Sequence, residues 1–244
     1  MSRNFDLLRT TEHIHDKCQP TPETDSRPDA GREHQSHRAI VDEEVMKLVQ
    51  RLFVLPDGTQ TPEAIGFCGV EKGVGCSWVC ANASQMLAAQ GLGTVCVVDA
   101  NFYSPSLHRH FGVANRAGFA ESLKSSDLVC DFVRRVSVPN LCLMTSGHIG
   151  RETLSPARLR TRLAELRNEF DFVLVDIPAI LSFGDATLLA HLTDGAVLVV
   201  GSNMTRRESA RMAKDNLEAA SVPILGAVLN KRRFPIPEAI YKKL

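Results

Sequence analysis

The sequence has no surplus of charge of either sign: 28 Lys and Arg stand against 28 Asp and Glu. A balanced chain has no global basic field, which excludes non-specific nucleic-acid binding as its main work. No apolar run reaches the roughly 18 residues needed to cross a bilayer, so no transmembrane segment is expected. The opening stretch, MSRNFDLLRTTEHIHDKCQP, lacks an apolar core of signal-peptide length. The seven cysteines form no C-x-x-C pair, and several lie inside apolar runs. They read as buried, reduced thiols of a cytoplasmic protein. No internal repeat is present. With 44% apolar and 23% charged residues, wholesale disorder and fibrous architecture are excluded as well. The 244 residues fit one domain with a tail, since domains usually run to about 100–200 residues.

Residues 1–38 form that tail. They are rich in Thr, Asp, Glu, His, Pro and Arg and show almost no apolar periodicity after Leu8. They bury too little to offset the entropy of ordering, so a disordered N-terminal arm is expected. Four of the eight histidines (His13, His15, His34, His37) lie in it and read as solvated rather than metal-binding, because nothing there would hold them at fixed geometry.

The domain spans 39–244. Asp42 caps an expected helix carrying Val45, Met46, Leu48, Val49, Leu52 and Phe53, which Pro56-Asp57-Gly58 ends. Six short apolar runs follow: Ala64–Gly69, Thr94–Asp99, Asn140–Met144, Asp171–Asp176, Gly195–Gly201 and Ile224–Asn230. Helix-length stretches Ser77–Gln90, Ser155–Glu169 and Arg206–Ala220 lie between several of them. Continuous Val/Ile/Leu runs alternating with helices predict an α/β fold, a mainly parallel sheet with helices on both faces.

The first run, AIGFCG, leads into VEKGVGCS (70–77) and then a helix. Strand, Gly-rich loop, helix is the layout of a phosphate-binding P-loop, in which Gly73 and Gly75 let backbone N–H groups close around phosphate oxygens at a helix N-terminus. The pattern G-x-x-x-x-G-K-[ST] ends on Gly75, Cys76 and Ser77, so its first glycine is Val70 and its lysine is Cys76. A thiol carries no positive charge, and losing a charge-assisted hydrogen bond costs about 1.5–3 kcal/mol. Two further strands end in carboxylates, TVCVVD at Asp99 and DFVLVD at Asp176. Acidic residues at the C-terminal ends of parallel strands, beside a P-loop serine, are placed to hold Mg2+ through water.

VCVVDANFYSPSLHRHFGV (95–113), DFVLVDIPAILSFGDATLLAHLTDGAVLVV (171–200) and TRRESARMAKDNLEAASVPILGAVLN (205–230) together resemble the bacterial tyrosine kinases of capsule and exopolysaccharide export, within the MinD/ParA-like P-loop group. The resemblance covers about Val41 to Leu244. It implies ATP and Mg2+ as cofactors. It implies a nucleotide-binding set of Lys72, Gly73, Val74, Gly75, Cys76, Ser77 and Trp78 in the loop, with Asn230 facing adenine. Mg2+ would be held by Ser77, Asp99 and Asp176, with Asp99 also the catalytic candidate, and Tyr241 is the candidate phospho-acceptor. The implied partner is the cytoplasmic part of a membrane polysaccharide copolymerase, which would bring a cytoplasmic protein to the inner face of the membrane. Homo-oligomerisation is the other implied contact; nucleic acid is not a partner.

The chain departs from that family's pattern at several points. D-x-D-x-R reads Asp99, Asn101, Tyr103, and D-x-P-P reads Asp176-Ile177-Pro178-Ala179. The signature lysine is Glu71, with Lys72 one place later as a candidate substitute. The assembly motif E-x-x-R-x-x-R reads Glu44, Lys47, Gln50, and the tail RRFPIPEAIYKKL holds one tyrosine where the family has a cluster. The fold signals are intact while the catalytic ones are depleted, which favours a kinase-like domain with weakened or lost catalysis and a regulatory or scaffolding role. Two alternatives are a MinD/ParA-like ATPase switch and an active tyrosine autokinase using Tyr241. A third is a redox-sensing binding protein built on Cys76 and Cys80. His108 and His110 are two residues apart and read as no metal pair. Arg206 and Arg207 read as a solvated helix start.

Overall fold

The computed structural model describes residues 41–54, 61–148 and 155–232. The expected arm, the Pro56-Asp57-Gly58 break and Tyr241 lie outside the described residues.

All six apolar runs are strands: β1 Ala64–Gly69, β2 Val95–Asp99, β4 Leu141–Met144, β5 Phe172–Ile177, β6 Gly195–Gly201 and β7 Ile224–Asn230. A two-residue strand, β3 Arg134–Arg135, adds an antiparallel edge. The sheet order is β3-β4-β2-β5-β1-β6-β7, and every other pairing is parallel. The period-2 alternation of the central strands separates two cores. Ala64, Cys68, Cys96 and Val98 face one side, where Leu159, Leu163 and Leu166 of α5 (Pro156–Glu169), Leu189 of α6 (Gly184–His191) and Leu217 of α7 (Arg207–Ala219) pack. Ile65, Phe67, Val95 and Val97 face the other, under Val79, Cys80 and Leu87 of α2 (Cys76–Ala89) and Val45, Val49, Leu52 and Phe53 of the first helix. That helix, α1, runs over residues 41–49 and continues as a π-helical turn, Gln50–Val54. Phe53 then meets Phe172 edge-on, with ring centroids 5.3 Å apart.

With both faces covered, the central strands are buried along their length, which is why their sequences are unbroken apolar runs. Functional groups are left to the strand ends. β1 lies between β5 and β6, and the crevice above the carboxyl ends of such strands is where ligands of this architecture bind.

One buried charge ties the outer layer together. Arg162 of α5 is 6% exposed. Its Nε donates to Ser122 O (2.8 Å), Nη1 to Asp127 O (2.9 Å) and Nη2 to Ser125 O (2.6 Å), and Nη1 pairs with Glu165. The planar fork thus satisfies three carbonyls at and beyond the end of α4 (Phe119–Ser122). A lysine is a point charge and cannot serve all three. Arg162→Lys is expected to cost about 1–3 kcal/mol, the penalty of leaving the buried Ser122 carbonyl unpaired, read as a lower urea midpoint at unchanged slope.

Candidate nucleotide site

The chain leaves β1 at Gly69, crosses residues 70–75 and enters α2 at Cys76. Gly73 and Gly75 take φ of 81° and 85°, left-handed conformations in which a side chain would be strained. Gly75 is the N-cap of α2, and no side chain among the described residues caps the helix. The first-turn N–H groups are therefore available to an anion, with the helix dipole behind them. Val70, at the pattern's first glycine, is fully buried in the core and its N–H bonds Val199 O at 3.0 Å. The loop after β5 is pinned to the same place: Ile180 N–H bonds Gly69 O (2.9 Å) and Leu181 N–H bonds Val70 O (3.2 Å).

Register places Asp99 of β2 opposite Asp176 of β5. Both are fully buried, and they differ in how they are satisfied. Asp99 Oδ2 accepts from Ser106 N (3.0 Å) and Leu107 N (3.0 Å), and Oδ1 from Asn101 N (3.2 Å). It thereby caps the short helix α3, Leu107–His110. Burial pushes its carboxyl up to about 6, against those three N–H groups and the charge of Arg109. Among the described residues no donor meets either oxygen of Asp176 at full hydrogen-bond geometry, and the Ser77 and Cys76 side chains are the donors beside it. Burial pushes it well above the usual carboxylate range and the charge of Asp99 adds to the rise, while weak hydrogen bonding from the Ser77 and Cys76 side chains opposes it. A fully buried carboxylate whose oxygens lack a full hydrogen bond, beside a P-loop serine, fits a cation. Of the expected Mg2+ set, Ser77 lies beside Asp176, and these two residues would hold the ion. Asp99 has about one of its four lone-pair sites left and is as much a positioner of α3 as a ligand.

Cys76 does not resemble a lysine substitute. The residue is half-buried and packs against the core, and burial, then Asp176, holds its thiol far above the ordinary range. Cys68 and Cys80 are raised by burial and by Asp176 as well. A thiol sensor needs the opposite, a lowered pKa and access, so the redox reading has no support in this geometry. Among the described thiols, Cys130 is the exposed one. A disulfide reagent at pH 8 is expected, among the described thiols, to label Cys130 first and Cys68, Cys76, Cys80 and Cys96 only on unfolding; rapid labelling of Cys76 in the native protein would restore the sensor idea.

Lys72 does not reach into the loop. Its ammonium stands 4.4 Å above the Phe183 ring, a cation–π contact. Phe183 stacks on Tyr103 at 3.7 Å between centroids, and Tyr103 Oη donates to Asp185 Oδ2 at 2.5 Å. Glu71 has one buried oxygen, Oε1, without a partner among the described residues. Trp78, on the first turn of α2, is 41% exposed at the rim. Asn230 ends β7 and does come to the site, with its amide Nδ2 donating to Val74 O at 2.9 Å. Lys231, which sequence reasoning passed over, donates from Nζ to Gly73 O at 2.6 Å. The one signal that would have found it was its place directly after Asn230. His110 is held by Gln85 across α2 and α3, at 3.0 Å between ring Nε2 and amide nitrogen.

Comparison with known proteins agrees with this geometry. A family model described as "ParA: NUBPL iron-transfer P-loop NTPase" matches residues 64–243. The tyrosine-protein kinase YwqD of Bacillus subtilis is 32% identical over 165 residues, covering 66% of this chain and 69% of that protein. Among solved structures, the VpsO kinase domain superposes with a TM-score of 0.71 at 20% identity, over 82% of this chain and 99% of that one. The septum site-determining protein MinD of Pyrococcus horikoshii, complexed with Mg-ADP, gives a TM-score of 0.60 at 23% identity, over 74% and 76%. Loop, paired strand-end carboxylates and these likenesses agree: the chain belongs to the ParA-like P-loop NTPases, in the branch of the bacterial tyrosine-protein kinases.

Proposed function

We propose that this protein is a cytoplasmic, Mg-nucleotide-binding relative of the capsule and exopolysaccharide tyrosine kinases, weakened or inactive as a kinase. Its role is regulatory or scaffolding, at the cytoplasmic part of a membrane polysaccharide copolymerase. The observation that carries the reading is the contrast inside one site. The glycine cradle and the buried Asp176, whose oxygens lack a partner at full hydrogen-bond geometry, suit a metal-bound phosphate, while the usual phosphate-facing lysine is an uncharged thiol. Mg-ATP, when bound, would supply the γ-phosphoryl group. The chain's own share would be backbone donors from the loop, a carboxylate for the cation and the fixed α3 start. A positive group on the transferring phosphoryl, which phosphoryl transfer needs most, is absent at position 76.

Asn101 and Tyr103, where the family pattern has a second carboxylate and an arginine, support the same reading, because Tyr103 stacks on Phe183 and bonds Asp185. Membrane contact would come through a partner: no helix among the described residues is long and apolar enough to cross a bilayer. Self-assembly through α1 would lack its usual arginines, and Lys47 pairs with Glu43 (2.8 Å) and Glu44 (2.9 Å) of the same helix. A MinD/ParA-like switch remains the second reading, favoured by the ParA family match. Calorimetry of Mg-ATP with the wild-type chain and with Cys76→Lys tests the proposal. Binding gained or tightened about tenfold or more by the substitution is the expected result; no binding in either would sink it. Phosphotyrosine at Tyr241 after incubation of the wild type with Mg-ATP would instead make it an active autokinase.

A further inference from the structure

With Cys76 in the lysine position and Lys72 occupied by Phe183, the cation that touches the phosphate loop comes from another strand. Lys231 follows the last residue of β7 and takes φ of 58°. This left-handed turn lays two consecutive side chains, Asn230 and Lys231, onto one loop. The fit is close. A Cβ on Gly75 would stand 2.4 Å from Asn230 Nδ2 and 3.8 Å from Lys231 Cε. The glycine is therefore needed for the approach of β7 as well as for its own φ.

The two donors act on adjacent peptide units. Lys231 Nζ holds Gly73 O at 2.6 Å and Asn230 Nδ2 holds Val74 O at 2.9 Å. In a planar trans peptide the N–H points away from the C=O. Fixing the Gly73 carbonyl fixes the Val74 N–H on the opposite side, and fixing the Val74 carbonyl does the same for the Gly75 N–H. An ammonium on a carbonyl also polarises that peptide and strengthens its N–H as a donor.

We propose that Lys231, together with Asn230, is a positioning residue of the nucleotide site: bonded to the Gly73 carbonyl, it aims and polarises the loop N–H groups toward the phosphates of a nucleoside di- or triphosphate. It brings from β7 positive charge that position 76 lacks. The inference rests on the nucleotide-site reading above.

The test is titration of the full chain with Mg-ADP, followed by the fluorescence of Trp78, the single tryptophan. Lys231→Met keeps the stem and removes the charge; Lys231→Arg keeps the charge. Lys231→Met is expected to weaken Mg-ADP about tenfold or more, the loss of one charge-assisted hydrogen bond. Its affinity should also fall less steeply with salt, with an unchanged melting temperature, while Lys231→Arg stays near the wild type. Equal affinity of wild type and Lys231→Met, or equal weakening by both substitutions, overturns the inference. Should the wild type fail to bind, the comparison moves to the Cys76→Lys background. Binding there that Lys231→Met leaves untouched overturns the inference and leaves the nucleotide reading standing. No binding in any variant, Cys76→Lys included, overturns both.

Discussion

Asp176→Asn is expected to stabilise the nucleotide-free protein and to abolish the Mg2+-dependent part of nucleotide binding. Both effects have one cause. Asp176 is fully buried at the end of β5, with neither oxygen met at full hydrogen-bond geometry among the described residues and Asp99 facing it across the strand pair. An unsatisfied buried polar group costs about 1–3 kcal/mol, and more when it is charged. Asparagine has the same shape and cannot ionise, so the substitution removes the cost of the buried charge, and the gain grows with pH as Asp176 would otherwise ionise. A gain of about 1–3 kcal/mol corresponds to roughly 2–4 °C per kcal/mol for a domain of this size. Thermal unfolding without nucleotide, in the presence and absence of Mg2+, measures it. A lower melting temperature for Asp176→Asn would mean that the carboxylate is satisfied in the native protein and has no need of a cation.

The pH dependence follows from the same pair. Burial raises both carboxyls, Asp99 to about 6 and Asp176 further in the same direction. Between the ordinary carboxylate pKa and the raised one, the native state holds protons that the unfolded chain has released. Stability therefore falls as pH rises through that window. For Asp99 the window runs from about 4 to about 6. Wild-type stability is expected to decline across it and onward as Asp176 ionises, and Asp176→Asn is expected to flatten the upper part. A stability that rises from pH 5 to pH 7 would contradict the assignment.

Cys76→Lys carries the other large effect. Cys76 lies close enough to Asp176 for each to shift the other's titration, so an ammonium on this turn of α2 meets a buried carboxylate before any ligand arrives. Pairing would pull the Asp176 carboxyl down, because an opposite charge nearby favours the ionised form. The pH slope should then reverse: a lowered carboxylate adds stability that is present above its ordinary range and lost on acidification. Mg-ATP affinity should rise by about tenfold or more, for one charge-assisted hydrogen bond worth about 1.5–3 kcal/mol. The double variant with Asp176→Asn should lose the stability gain and keep part of the phosphate gain, since the two residues share an environment and their effects do not add. Calorimetry and melting curves of the single and double variants check this; additive effects would show that the introduced ammonium and Asp176 do not meet.

The sheet was readable from the chain because its central strands are buried on both faces and must be apolar throughout. β3 was not readable: a two-residue edge strand of Arg134 and Arg135, both exposed, buries nothing and leaves no apolar trace, as edge strands that carry charge do. The P-loop was readable because its glycines have a backbone duty, and Gly73 and Gly75 do take left-handed φ. The strand-end acids were readable because Asp after an apolar run is an abrupt change. Their division of labour was hidden, since it depends on which N–H groups of 101–107 fold back onto Asp99. The cations were misleading for a similar reason. Proximity in sequence pointed to Lys72, but its neighbour in space is Phe183, more than a hundred residues away along the chain. Lys231 arrives only because β7 ends where it does.

The stack of Lys72, Phe183 and Tyr103, closed by Asp185, joins three loops: the one after β1, the one after β2 and the one after β5. Each crosses the same crevice. Loops separately tethered would fluctuate separately, each with its own small free energy of opening. Loops stapled by a shared set of aromatic and ionic contacts open together, as one cooperative unit. Disturbing a side chain of that staple is expected to free the loop that carries Tyr103 most, because the loops after β1 and β5 stay joined by the Ile180 and Leu181 backbone bonds.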